Sequence, residues 1–252
     1  MLAESKSANT LDISDTIVQP SDNFKASIQS LIQCLDCQNE NVLSLQRIAS
    51  QFHFYKRRLY DVINVYESIG ICKKLSVDSL LWIGFSNVLP TLERLIRKER
   101  IFEKDYNIDN LSLEETSITI SNLTHRFLLL FSALHQTSID IKQCSKFLSK
   151  KNDKFKTTLC KLYQITYILE SSNIIIKSQK PGEVILNKDY FIENHKIYLH
   201  PLLSIDALLN NSENEIDFYE KRRKYFYYET MSEKQKYFSM LCGESFSSPM
   251  IL

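Results

Sequence analysis

Glycine and proline are scarce in this chain, which has 4 glycines and 5 prolines among 252 residues. Architectures made of many strands and tight turns need more of both residues, so the composition argues against an all-β fold. The hydrophobic fraction of 44% and the charged fraction of 24% are ordinary for a folded chain that buries a core. We therefore expect a mainly helical fold with one large domain or two modest ones.

The chain also lacks a large net charge, since its formal charge at pH 7 is +1. A strongly basic balance would by itself indicate a nucleic-acid partner, and this balance does not. Any case for nucleic-acid binding must therefore come from local clusters of basic side chains.

Long apolar runs are missing as well, and none approaches the roughly 18 residues that a helix needs to cross a bilayer. The first residues have neither the basic start nor the apolar core of a signal peptide. We therefore expect no membrane association. Residues 1–20 are rich in Ser, Asp and Thr, and this composition predicts a disordered tail.

Motifs for metal binding and catalysis are not apparent. Cys34 and Cys37 form one C-x-x-C pair, but a structural zinc site needs four ligands and no second pair has suitable spacing. We interpret these cysteines as ordinary thiols in a reducing compartment. The histidines show no ligand pattern, and no Gly-rich phosphate loop or Gly-x-Ser-x-Gly elbow is present. We predict no metal, no cofactor and no enzymatic activity.

The hydrophobic periodicity predicts three helices followed by a hairpin in the first part of the chain. The helices cover about 23–35, 43–52 and 55–69, and the hairpin strands cover 71–75 and 80–84. Gly70 follows the third helix, where a left-handed residue commonly ends a helix. Three helices and a hairpin form the order of a winged helix, whose third helix can enter a major groove.

The same order is repeated later, with helices at 118–134, 139–148 and 155–172 and strand-like runs at 174–176 and 184–186. A shift of 103 residues pairs the two third helices without a gap: Leu59 and Tyr60 meet Leu162 and Tyr163, Glu67 and Ser68 meet Glu170 and Ser171, and Gly70 meets Asn173. The match predicts an internal duplication. The fold class is thus mainly α with small β wings, as two tandem winged-helix domains.

The predicted organisation has five parts. They are a disordered tail over 1–20, a first winged-helix DNA-binding domain over 21–86, a connecting helix and loop over 87–116, a second, degenerate winged-helix domain over 117–190 and a C-terminal helical extension over 191–252.

The third helix of the first repeat has two unlike faces at 100° per residue. Its apolar face must pack on the first two helices and consists of Leu59, Val62, Ile63, Tyr66 and Ile69. Its opposite face consists of Arg57, Tyr60, Asp61, Asn64 and Ser68. A run of three basic residues, Lys56 to Arg58, stands at the N-terminal end, which is the end that a recognition helix presents to base edges.

Arginine suits base reading because its planar guanidinium can donate two parallel hydrogen bonds to guanine. We therefore predict that Arg57 and Arg58 read bases. Lys56, Lys73 and Lys74 are placed to meet phosphates, and Tyr60 would bond a phosphate or brace an arginine. Taken alone, however, such a basic run is more often just a solvated, charged helix face.

The segment from Lys56 to Ile71 closely resembles the recognition helix of the E-two-F/DP cell-cycle transcription factors, which carry Arg-Arg-x-Tyr-Asp-x-x-Asn-Val-Leu-Glu there. The strand that ends Leu81-Trp82-Ile83-Gly84 also looks like the last strand of that family, and the resemblance covers about residues 22–86. It implies that Arg57 and Arg58 contact the C/G core of a TTTCCCGC-like site, with Asn64 in a supporting position. It also implies a nuclear protein.

The second repeat resembles the same family more weakly, through Lys154-Phe155-Lys156-Thr157 before its third helix. Atypical members carry two such domains in one chain, bind without a DP partner and typically act as repressors. Here Cys160 and Lys161 replace the two arginines, while Gln164 and Tyr167 replace Asp and Asn. We therefore expect the second repeat to read few bases, to serve as a pseudo-dimer partner and to hold phosphates through Lys154, Lys156 and Lys161.

One alternative function remains open on the sequence. The chain would then be a winged-helix protein-interaction module that needs a DP-like chain or a second copy, or that no longer binds DNA specifically. The helix at 87–104 would then recruit the partner.

The residues between 216 and 240 mix aromatic and basic side chains, which can mark nucleic-acid contact. We prefer a helix that packs its aromatics on the second repeat. Its basic segment from Lys221 to Lys224 resembles a short nuclear import signal.

Overall fold

The computed structural model describes residues 20–36, 42–103, 105–113, 118–151, 153–192 and 229–241. The tail predicted for residues 1–20 lies outside the described residues except for Pro20, and so do Cys37, the basic segment at 221–224 and most of the helix predicted from 216. No helix in these ranges combines the length and the apolar character that crossing a bilayer requires.

The first repeat contains three helices and three strands. The helices are α1 (Pro20–Asp36), α2 (Leu45–Gln51) and α3 (Lys56–Ser68), and the strands are β1 (Val42–Ser44), β2 (Cys72–Lys74) and β3 (Ser79–Trp82). The strands form one antiparallel sheet in the order β1-β3-β2.

Strand β1 differs from the prediction, in which the second helix begins at residue 43. Three residues are too few to show the alternation by which a strand is recognised. Ser44 instead ends the strand and caps α2, since its side chain accepts a hydrogen bond from the backbone N–H of Arg47.

The second repeat follows a connecting helix, α4 (Val88–Glu99), and a short 3-10 turn at Ile108–Leu111 inside the predicted loop. Its elements are α5 (Ile120–Leu134), β4 (Ser138–Asp140), α6 (Ile141–Leu148), α7 (Phe155–Ser171), β5 (Ile175–Lys177) and β6 (Glu183–Leu186). The sheet order is β4-β6-β5, again antiparallel. A further helix, α8, covers 229–241. The prediction of two winged-helix units is confirmed.

The duplication extends to single backbone groups. Gly70 and Asn173 follow the third helices of the two repeats, and both have left-handed backbone, with φ of 81° and 56°. Each of their carbonyls accepts a hydrogen bond from an asparagine amide after the wing, Asn87 at 2.7 Å and Asn187 at 2.9 Å. The pairing that the 103-residue shift predicts at this cap is therefore present in the fold.

The two repeats share a buried contact centred on Tyr66, whose side chain is fully buried. Its hydroxyl shares a hydrogen bond of 2.6 Å with the Ser172 hydroxyl of the second repeat. Its ring meets Trp82 and Phe85 edge-on, with centroids 6.0 and 6.1 Å apart. The family that this helix resembles has Leu at this position, so the Tyr of this chain adds a hydrogen bond between the repeats.

Ser68 does not lie on the exposed face of α3, where helical spacing predicts it. Its side chain is buried, and its hydroxyl donates to the Val65 carbonyl at 2.6 Å. The imidazole Nε2 of His125, on α5, lies 2.6 Å from the Ser68 carbonyl oxygen. Because α5 packs along α3, the second repeat covers a strip that an isolated helix would expose. Burial lowers the pKa of His125, so its neutral form is favoured in this contact.

Helix α8 packs on the second repeat through Phe238, and Met231 of the same helix is also buried. The Phe238 ring lies 5.3 Å from that of Phe147, and the Gln235 amide donates to the Leu134 carbonyl at the end of α5, at 2.6 Å. Residues 229–241 of the predicted C-terminal extension therefore form a helix that packs on the second repeat, and the rest of that prediction stays a prediction.

Lys234, on the packed face of α8, provides a test of this packing. Its side chain is 7% exposed, its ammonium lies 5.1 Å from the centre of the Tyr106 ring, and burial lowers its pKa to about 8. Below pH 8 a charged ammonium is held in the folded state at a cost. Between pH 8 and the unfolded value near 10.5 only the unfolded chain keeps the proton, so stability rises with pH.

We expect Lys234→Met to raise the free energy of unfolding at pH 7 by about 2–3 kcal/mol, and this gain to fade as the pH approaches 10. Denaturant unfolding of both proteins across that pH range measures the difference. The matched control is Lys236→Met, because Lys236 is exposed on the same helix and should give no pH-dependent difference. A constant gain at every pH would contradict a desolvated lysine.

Candidate nucleic-acid interface

The N-terminal turn of α3 is exposed, while the apolar face of the helix is held in the core. The predicted apolar face is buried throughout, with Leu59, Val62, Ile63, Tyr66 and Ile69 at most 2% exposed. Lys56, Arg57 and Arg58 occupy the first turn, and all three are exposed. The second repeat therefore leaves the predicted base-reading arginines open to a ligand.

The first turns of α3 and α7, like that of α4, lack the side-chain cap that begins three other described helices. Helices α2, α5 and α6 each begin at a side-chain cap, supplied by Ser44, Thr119 and Asp140. The caps of α3 and α7 are Tyr55 and Lys154, whose side chains make no capping hydrogen bond. Free N–H groups at the positive end of a helix dipole suit an anion such as phosphate.

A network of side chains fixes the wing of the first repeat to α3. The Tyr60 hydroxyl donates to the Val77 carbonyl at the wing tip, at 3.2 Å. The Lys74 ammonium donates to the Asn64 side-chain oxygen at 2.5 Å and lies 3.6 Å from the Glu67 carboxylate. Tyr60, Asn64 and Lys74 thus hold the wing in place, whereas Lys73 is exposed on the wing. Phosphate binding by Lys74 stays a prediction and would require this ammonium to change partners.

Arg58 belongs to a stack that crosses between the repeats, which we call the aromatic ladder and define as Arg58, Phe24 and Tyr167. The guanidinium carbon of Arg58 lies 5.9 Å from the centre of the Phe24 ring. The Phe24 ring, on α1, stacks on Tyr167 of α7 with centroids 5.8 Å apart and planes 11° apart. Sequence patterning did not indicate this contact, because three separate elements supply its members.

The two third helices also meet directly. Gln164 donates its side-chain amide to the Asp61 carboxylate. These residues are equivalent under the 103-residue shift, as expected where two related units pack about an approximate two-fold axis. The alignment of the two repeats therefore contains a signal for this contact, although periodicity within one helix does not.

The predicted phosphate-binding residues of the second repeat have different surroundings. Lys154 and Lys156 are exposed around the first turn of α7. Lys161 is half-buried and donates to the Ile118 carbonyl within the chain. Cys160, which stands where the first repeat has Arg57, is exposed. Within the described ranges, no three His, Cys, Asp or Glu side chains come together as a metal site requires.

The sequence of residues 24–84 matches the winged-helix DNA-binding domain of the E-two-F/DP family. These residues form an E-two-F/DP domain. The E-two-F/DP domain includes α1, the sheet, the exposed arginines and the final strand of the first repeat. For these residues the match confirms the predicted class, a DNA-binding domain and not an enzyme.

Two of the three curated relatives named here match more of the chain than the E-two-F/DP domain. Transcription factor E2F7 of Danio rerio is 23% identical over 158 residues, which cover 54% of this chain and 22% of that protein. The transcription factor-like protein E2FF of Arabidopsis thaliana is 22% identical over 185 residues, covering 61% and 52%. Transcription factor E2F3 of Mus musculus is 38% identical over 58 residues, covering 23% and 13%. The chain thus spans between about an eighth and a half of these relatives.

Proposed function

We propose that this chain is a transcription factor that binds double-stranded DNA at a C/G-core site, reads the core with Arg57 and Arg58 and needs no DP-like partner. The observation that carries the proposal is the exposed pair of arginines in the first turn of α3, which lacks a side-chain cap and belongs to an E-two-F/DP domain. Guanidinium groups at the front of a recognition helix are the groups that reach guanine edges in a major groove.

Independence from a partner is supported by the occupied flank of the E-two-F/DP domain. The second repeat already contacts α1 and α3, through the Lys25–Glu170 ion pair at 3.3 Å, the Tyr66–Ser172 hydrogen bond and the His125–Ser68 contact. A separate DP-like chain or a second copy that docked on the same surface would have to displace it. We propose that the second repeat is a built-in partner and that Lys154, Lys156 and Lys161 contribute phosphate contacts.

Selection from a random duplex library with the purified full chain tests the proposal, followed by sedimentation of the complex formed on the recovered site. We expect a motif with a C/G core and one chain per duplex. Failure to enrich any motif would contradict sequence-specific reading. A complex of two chains per duplex would contradict the role of the second repeat as a built-in partner.

We further propose a nuclear protein that acts as a repressor, which the resemblance to two-domain members of the family supports. A reporter gene that carries the recovered motif should be expressed less when the chain is present and recover when Arg57 and Arg58 are replaced. Increased expression would contradict repression while leaving the DNA-binding proposal intact.

A further inference from the structure

The two neighbouring arginines of α3 are held to different degrees. Arg58 contacts the Phe24 ring through its guanidinium. Arg57 is exposed, and its side chain makes no hydrogen bond, ion pair or ring contact with any described residue. A long arginine side chain without a partner samples many rotamers, whereas a guanidinium on an aromatic face samples fewer.

The aromatic face beneath Arg58 depends on the second repeat. Phe24 is half-buried, and two rings restrain it: Tyr167 stacks on one side, and Phe54 meets it edge-on at 6.0 Å and 86°. Phe54 comes from the first repeat, so Tyr167 is the contribution of the second repeat to this stack. The position of Tyr167 is equivalent to Asn64 under the 103-residue shift, so the second repeat carries a ring where the first carries an amide.

We propose that Tyr167 is a positioning residue through which the second repeat sharpens base selectivity without reading a base itself. Tyr167 holds the Phe24 ring, and the ring holds the Arg58 guanidinium ready to donate to a guanine edge. This inference rests on the proposed function of Arg58. The physical gain is a smaller loss of side-chain freedom when the guanine contact forms, since part of that freedom is already lost in the free protein.

The first measurement compares two variants at position 167 in the full chain. Tyr167→Leu removes the ring while keeping an apolar side chain, and Tyr167→Phe keeps the ring. Fluorescence anisotropy gives Kd for a C/G-core duplex and for the same duplex with an A/T core, and the ratio of the two is the selectivity. We expect Tyr167→Leu to reduce the selectivity about two- to fivefold, as the loss of one exposed cation–π contact would, and Tyr167→Phe to retain it.

The two arginines supply an internal control, through a double-mutant cycle. In the Arg57→Ala background, Tyr167→Leu should reduce the selectivity by the same factor as in the unmodified chain. In the Arg58→Ala background it should cause no further reduction, because the guanidinium that it positions is gone. An equal reduction in both backgrounds, or none in the unmodified chain, would overturn the proposal.

A further control separates positioning from a general loosening of the two repeats. Tyr66→Phe removes the hydrogen bond to Ser172. Tyr66 lies far along α3 from Arg58 and is not part of the aromatic ladder. The substitution should lower the unfolding temperature and leave the selectivity unchanged. If Tyr66→Phe reduces the selectivity as much as Tyr167→Leu, the ladder has no specific role. If Arg58→Ala alone leaves the selectivity unchanged, the proposed function of Arg58 fails, and the inference fails with it.

Discussion

Replacing Arg57 and Arg58 together with alanine should weaken binding to a C/G-core duplex by about 30-fold or more, because each bidentate guanine contact discriminates by about 1–3 kcal/mol. Binding to a random duplex should weaken far less. On such DNA the two side chains supply phosphate attraction alone. Lys56, Lys73 and the free N–H groups in the first turn of α3 still supply that attraction in the variant. Titrations on both duplexes at one fixed salt concentration measure the two losses.

A matched control removes two arginines elsewhere. Arg94 and Arg97 are exposed on α4, so their double replacement by alanine changes the net charge equally. That variant should bind both duplexes almost as the unmodified chain does. If the Arg57 and Arg58 double variant loses equal affinity for both duplexes, the arginines bind phosphates and do not read bases.

The features predictable from the sequence are those that one element encodes by itself. The buried face of α3 follows from helical spacing, so Leu59, Val62 and Ile63 could be assigned to the core without a structure. The left-handed caps at Gly70 and Asn173 follow from residue type and position, and the structure has both. The exposed arginines follow from the same helix geometry.

The features that sequence reasoning missed depend on where a second element lies. Ser68 lies on the polar face of an isolated α3, yet α5 covers it and directs His125 to its carbonyl. The stack of Phe24 on Tyr167 joins residues that are 143 positions apart in a chain of 252. Periodicity within one helix carries no information about such partners, so the sequence indicated the arginines but not the side chains that restrain one of them.

Gly70→Ala should destabilise the first repeat by about 2–5 kcal/mol, from two sources. The backbone of Gly70 has φ of 81°, which an L side chain rarely adopts. A Cβ atom at this position would also lie 2.2 Å from the Thr91 hydroxyl and 2.7 Å from the Asn87 amide. Thr91 is only 4% exposed and has little room to move, and Asn87 is held by its bond to the Gly70 carbonyl. Such a loss is a large part of an ordinary domain stability of about 5–15 kcal/mol.

The equivalent position of the second repeat separates strain from overlap. Asn173 has left-handed backbone and already carries a Cβ atom, so Asn173→Ala adds no atom and should cost about 1 kcal/mol or less, from the poorer fit of alanine to this conformation. Denaturant unfolding of both variants measures this contrast in stability. Binding to the C/G-core duplex should also fall with Gly70→Ala, because Gly70 follows the end of α3, the helix that carries Arg57 and Arg58. Equal losses for the two variants would mean that Thr91 and Asn87 move aside, and that backbone strain alone makes glycine necessary at this cap.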